Sequence, residues 1–172
     1  MADQKVTDMT AIASGGMALT DELYANNAGV DKKVAFGDMS TDGVFTPRFG
    51  DGTNDIPLDT ATGFYTRVGS MVHIDIEVTW SSGIGSVAGT QLRIDDLPFT
   101  CLNTSGYRAG TCIGSFGGIN TSGDKQLTGR IYQNTTGIWF FVMNDNTSAT
   151  SIAADTTSTS GSLSISATYR AN

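Results

Sequence analysis

From Met71 to Trp80 the chain alternates without a fault. Val72, Ile74, Ile76, Val78 and Trp80 fall on one side, and Met71, His73, Asp75, Glu77 and Thr79 on the other. A strand turns successive side chains to opposite faces, so this stretch predicts a long strand with one buried and one wet face. Its buried positions are mostly β-branched, which suits a pleated surface. A short aromatic strand, 64–68, comes just before it. Gly69-Ser70 between the two supplies the positive φ of a tight hairpin. A second faultless alternation ends the chain: Leu163, Ile165, Ala167 and Tyr169 face one way, and Ser162, Ser164, Ser166, Thr168 and Arg170 the other. Sheets with one apolar face must bury it against another layer.

More strands lie between these two. Residues 43–49 read as a strand containing Pro47, which cannot donate to a ladder and so places the segment at a sheet edge or a bulge. Residues 91–94 form a short strand. Residues 108–116 form another, with Ala109, Thr111, Ile113 and Ser115 on one side. Residues 127–133 lead through an Asn134 to Gly137 hairpin turn into 138–143. Residues 144–160 are rich in Asn, Thr, Ser and Asp and are expected to form a long surface loop. No helix of ordinary length is predicted. The fold class is all-β, a β-sandwich of jelly-roll type.

The run Ile138, Trp139, Phe140, Phe141, Val142, Met143 is apolar on both faces. Such a strand is covered twice, once by its own core and once by something else. The second cover is either a neighbouring subunit, packing on Trp139, Phe141 and Met143, or the loop 144–160 folded back.

The first 43 residues differ in character. Thr20 or Asp21 caps a short turn of helix carrying Leu23 and Tyr24, residues 27–29 turn the chain, and 33–36 form a short strand. A piece this small buries too little to be stable alone and needs a partner. The expected organisation is an N-terminal segment, 1–43, and a sandwich domain, 44–172.

Charge and composition exclude several functions. A net charge of −7 argues against a nucleic-acid groove or an anionic membrane surface. No apolar run approaches a membrane span. The start lacks the basic and apolar regions of a secretory signal, so synthesis and folding in a cytoplasm are expected. Cys101 and Cys112 then default to free thiols, with a disulfide as the alternative if strands flanking a turn bring them together. Four Asn-x-Ser/Thr triplets, at Asn103, Asn120, Asn134 and Asn146, read as turns.

Chemistry-bearing residues are few. His73 shares a face with Asp75 and Glu77, a spacing open to a metal or an acid–base pair but expected of a solvated sheet face. Asp95-Asp96 reads as an exposed turn rather than paired catalytic carboxylates. The glycines of 83–85 and 114–118 lack the helix that completes an anion site. No cofactor, metal or catalytic residue is expected, and the chain is read as not an enzyme.

Separate blocks of the chain add up to a resemblance. Residues 43–49 (Gly-Val-Phe-Thr-Pro-Arg-Phe), 63–72 (Gly-Phe-Tyr-Thr-Arg-Val-Gly-Ser-Met-Val) and Leu97-Pro98-Phe99 are similar, in that order, to β-sandwich heads of tailed-bacteriophage fibres and related virion surface proteins. The block from Lys5 to Met39 resembles the leader that docks many phage fibres on the particle. The resemblance implies a homotrimer on the virion, made in the host bacterial cytoplasm. It implies a leader anchored to a major capsid protein or tail adaptor through Val6, Met9, Leu19, Leu23, Tyr24, Val34 and Phe36. The chain departs from a tail fibre in having no heptads and no repeat between leader and head. That favours a knob on the capsid, a decoration protein or short head fibre. The alternative is a tail-fibre or receptor-binding tip, contacting host surface glycan through Tyr107, Arg108, Asn144 and Asn146.

Overall fold

A computed structural model describes residues 22–27, 30–35, 40–81, 90–121, 123, 126–144 and 147–172; for 22–27, 30–35, 144 and 147 it places the backbone alone. The chain divides into two compact units, Met1–Thr41 and Asp42–Asn172.

In the first unit β1 (Glu22–Asn27) and β2 (Val30–Ala35) pair antiparallel, with Leu23 opposite Val34 and Asn27 opposite Val30. The helical turn expected over Leu23 and Tyr24 is therefore a strand. One isolated turn of helix carries the full nucleation cost for few hydrogen bonds, whereas the ladder with β2 satisfies backbone groups along the whole segment.

The second unit is built from β3 (Ser40–Phe45), β4 (Arg48–Gly50), β5 (Thr60–Val68), β6 (Met71–Trp80), β7 (Arg93–Asp95), β8 (Arg108–Ile119), β9 (Gln126–Tyr132), β10 (Ile138–Asn144), β11 (Thr147–Ser151) and β12 (Thr157–Arg170). The fold is all-β. The strands form one sheet in the order β3-β5-β6-β12-β8-β9-β10-β7-β4, with β11 added on β10. The long β8 belongs to both halves. Its residues 111–119 pair with β12, and Arg108, Ala109 and Gly110 pair with β9. The sheet curls over at β8 into two layers that face each other.

The two alternations stand where they were expected. β5 and β6 form a hairpin through Gly69 at φ 58°, with Val68 opposite Met71. β12 lies on the other side of β6, Ile165 opposite Ile76 and Tyr169 opposite Val72. Their inward side chains are buried, as are Ile131, Ile138, Phe140, Ile94 and Phe49 from the opposite layer. Phe49 joins the layers: its ring lies 5.3 Å from Trp80 and 6.2 Å from Phe140. Trp80 donates from Nε1 to the Ser158 carbonyl at 3.0 Å. Gly161 makes room for the ring; a Cβ there would run into the indole. The Tyr169 hydroxyl donates to the Phe99 carbonyl at 2.9 Å, and burial pushes its ionisation well above the ordinary tyrosine range.

Pro47 divides the segment 43–49 into β3 and β4, which end at opposite edges of the sheet. This is the edge placement its missing N–H demands. Two expectations are corrected. Ser115 does not share a face with Ala109, Thr111 and Ile113. Ser164 opposes Ser115 while Ile165 opposes Ile113, so Gly114 is an extra residue, a bulge that returns Ser115 to the solvent side. Nor is 144–160 one loop. It holds β11, a single 3-10 turn at Ala154–Thr156 and the start of β12. Ile152 and Ala154 are buried plugs that pull the segment onto the core. Both cysteines are free; Cys101 is buried, with its thiol pushed up by desolvation, and Cys112 is exposed. Among the described residues no helix is long and apolar enough to cross a membrane.

Candidate functional site

The outer side of the second layer is unlike an ordinary solvent face. On β10, Ile138 and Phe140 point inward, so Trp139 and Phe141 point outward. The neighbouring strands supply what meets them. Trp139 stands opposite Arg93 of β7 on one side and Arg130 of β9 on the other. One strand further, Tyr132 opposes Arg108 and Arg130 opposes Gly110.

These positions become a linked set of rings and guanidinium groups. Arg93 lies 5.6 Å from the Trp139 ring centre, Arg130 5.1 Å from Phe141 and Arg108 5.2 Å from Tyr132. Tyr132 meets Trp139 edge to face at 5.3 Å and Phe141 at 6.5 Å. A cation over a ring contributes about 0.5–1 kcal/mol where exposed and about 2 kcal/mol where desolvated. The aliphatic stems of the arginines cover apolar surface besides. Phe141 is thus only 7% exposed within the single chain, while Met143 is 42% exposed.

The cations on this face differ in how far they are satisfied. Arg93 donates from Nε to Asp95 at 2.8 Å. Arg108 and Arg130 have no carboxylate partner among the described residues; each rests on its ring. At the β4 edge of the face Arg48, opposite Asp95, bonds Asp96 at 2.6 Å and Asp55 at 3.2 Å, and those carboxylates hold it protonated well above its usual range. Gly110 leaves a gap beside the two unpaired arginines: a Cβ built there meets no atom within 4 Å.

The structure brings together residues that the sequence assigned to two different roles. Trp139 and Phe141, candidates for an interface between subunits, share a face with Arg108, a candidate for receptor contact. Tyr132 is the bridge between them. Tyr107 is turned elsewhere: its hydroxyl accepts from the Arg170 backbone N–H at 2.9 Å. Asn144 ends β10 with only its backbone described, and Asn146 lies outside the described residues. Of the anchor candidates, Leu23, Tyr24 and Val34 stand on β1 and β2, while Val6, Met9, Leu19 and Phe36 lie outside the described residues. Sequence reasoning missed Arg93, Arg130 and Tyr132. The available signal was their place at outward positions of the strands flanking the doubly apolar one.

The opposite outer face is different. His73 stands 3.4 Å from Asp75 and 3.0 Å from the Thr168 hydroxyl, half exposed in a polar row. Asp75 and Glu77 line a shallow groove there with Phe64, Cys112 and Ser164. On the second layer, Asp95 and Asp96 are each engaged by an arginine, Arg93 and Arg48.

The fold and the face together describe an all-β domain with an aromatic and cationic outer surface. No family model matches the chain, and no curated protein matches it. Among solved structures it is similar in fold to the Dettilon tailspike protein (gp208), with a TM-score of 0.66 and 19% identity over 77% of this chain. The chain spans about a quarter (24%) of that protein's length. This likeness overturns the expectation that the chain is not an enzyme. That expectation rested on the scarcity of chemistry-bearing residues in the sequence, and a fold shared with part of a tailspike does not let catalysis be excluded on that ground.

Proposed function

We propose that the chain is a head domain of a tailed-phage tail fibre or tailspike that contacts the host surface. The observation that carries this reading is the fold likeness to part of a tailspike over most of the chain. The sequence blocks that resemble phage fibre heads agree with it. Of the two placements open in the sequence, the likeness favours the tail over capsid decoration. The face around Trp139, Tyr132 and Arg108 is the contact surface. The leader, 1–43, attaches the head to a tail adaptor.

Assembly as a homotrimer belongs to the same proposal. Copies would meet through the apolar side chains that one copy leaves exposed, above all the Val68 and Met71 pair beside the β5–β6 turn, and Phe64. Gold-labelled antibody against the purified chain tests the placement on intact particles. Label at the tail tip is expected, and label spread over the capsid contradicts the proposal.

A further inference from the structure

The outer face of the second layer gathers guanidinium groups in an acidic protein. Among the described residues Arg93, Arg108 and Arg130 stand there with the carboxylate of Asp95, and at the β4 edge Arg48 is held by Asp96 and Asp55, while the chain as a whole carries a net charge of −7. Arg93 is already bonded to Asp95. Arg108 and Arg130 keep their N–H donors for a partner from outside, since no carboxylate meets them among the described residues. We infer that the open shelf over Gly110, between Arg108 and Arg130, binds a carboxylate-bearing sugar of an acidic polysaccharide. This rests on the reading of the chain as a host-facing head.

The geometry suits that ligand in several ways. Gly110 lies directly opposite Arg130, and Arg108 lies two residues before Gly110 on the same face. The two arginines therefore start from a diagonal pair on adjacent strands, roughly 7–8 Å apart. The space between them is empty because residue 110 has no side chain. Each guanidinium is held over a ring, 5.2 Å from Tyr132 and 5.1 Å from Phe141. These contacts restrict each fork before any ligand arrives, so less side-chain freedom is lost on binding. A planar fork matches a carboxylate through paired N–H bonds. Tyr132, whose ring meets Trp139 edge to face, carries a phenol that can bond a sugar hydroxyl. Flat rings beside the forks favour an anion carried on a sugar ring over one in a linear phosphodiester chain.

Calorimetric titration of the full chain tests the site, with oligogalacturonate as the probe and neutral dextran and polyglycerol phosphate as comparisons. Binding of oligogalacturonate alone is expected, weakening as salt is raised because exposed charge pairs are screened. Gly110→Glu puts the protein's own carboxylate between the forks and should weaken binding by about tenfold or more, as should Arg130→Ala. Arg170→Gln, on the other layer, should leave it unchanged. Circular dichroism checks that each variant folds, and Arg108→Gln replaces Gly110→Glu if that one does not. Equal binding of dextran, tighter binding of polyglycerol phosphate, or wild-type affinity in the folded Gly110→Glu and Arg130→Ala proteins overturns the inference. The outcomes separate from those of the parent reading. Tail-tip label without uronate binding refutes this site alone, and capsid label refutes the host-facing head whatever the titration shows.

Discussion

The two outer faces of the curled sheet follow opposite rules. Along the middle of the first layer the outward positions are small or polar: Ser162, Ser164, Ser166 and Thr168 on β12, and His73, Asp75 and Glu77 on β6. Water supplies their partners, and the exposed apolar side chains of that face, Phe64, Val68 and Met71, lie on the β5 side of it. On the second layer the outward positions are Trp139, Phe141 and Tyr132, with arginines from β7, β8 and β9 lying over them. A strand that is apolar on both sides therefore does not demand a second subunit. Guanidinium groups on neighbouring strands can roof the rings, leave a charged surface outward and still keep Phe141 at 7% exposure.

The largest expected effect attacks that roof from below. Phe141→Ala should cost about 3–5 kcal/mol of stability, the range for emptying a buried aromatic site. Urea denaturation at widely separated protein concentrations checks it. A cost that disappears on dilution would mean that subunit packing buries the ring, and the contrast between the faces would fail.

Tyr169 offers the next test, in the core beneath the first layer. Tyr169→Phe loses the bond to the Phe99 carbonyl and should cost about 1 kcal/mol. It should also flatten the alkaline limb of the stability curve. The native hydroxyl stays neutral above the pH at which an unfolded tyrosine ionises, about 10. The unfolded chain then binds fewer protons than the native one. Wild-type stability is therefore intact below that pH and falls as pH rises beyond it. Chemical denaturation across the alkaline range reads the slope, which should be smaller in Tyr169→Phe.

Smaller effects sharpen the contrast. Arg130→Ala should cost about 0.5–1 kcal/mol through the lost cation–ring contact and its covering stem, with Arg130→Lys recovering part of it. Ser166→Ala, at an outward position of the first layer, should change stability by less than about 0.5 kcal/mol. Thermal melts of the pair measure both. A larger loss at Ser166 than at Arg130 would reverse the assignment of the faces.

The first layer was legible because its chemistry repeats every second residue. The alternations of β6 and β12 and the Gly69-Ser70 turn needed no tertiary information, and Pro47 announced the edges. The rest lacked that contrast. In β8 the only sign of the bulge at Gly114 is that Phe116 falls three residues after Ile113, and one such step among glycine, serine and threonine does not establish a change of register. β11 is Thr, Ser and Ala, indistinguishable from loop until Ser151 and Thr150 pair with β10. The candidate site was half visible. Trp139, Phe141 and Arg108 each drew attention, for separate reasons. Their meeting depends on the register that sets Tyr132 beside Arg108 and Arg130 beside Trp139. That register comes from how the sheet curls at β8, which no local pattern encodes.

The central claim is that the arginine-roofed face of the second layer is open in the assembled protein and takes an anionic sugar. Arginine side-chain Nε–H resonances, followed by NMR as oligogalacturonate is added, test it most directly. The account predicts shifts at Arg108 and Arg130, with Arg48 and Arg67 unmoved. Shifts at Arg67 or Arg48 without change at Arg108 and Arg130, or no shifts at saturating ligand, would contradict it.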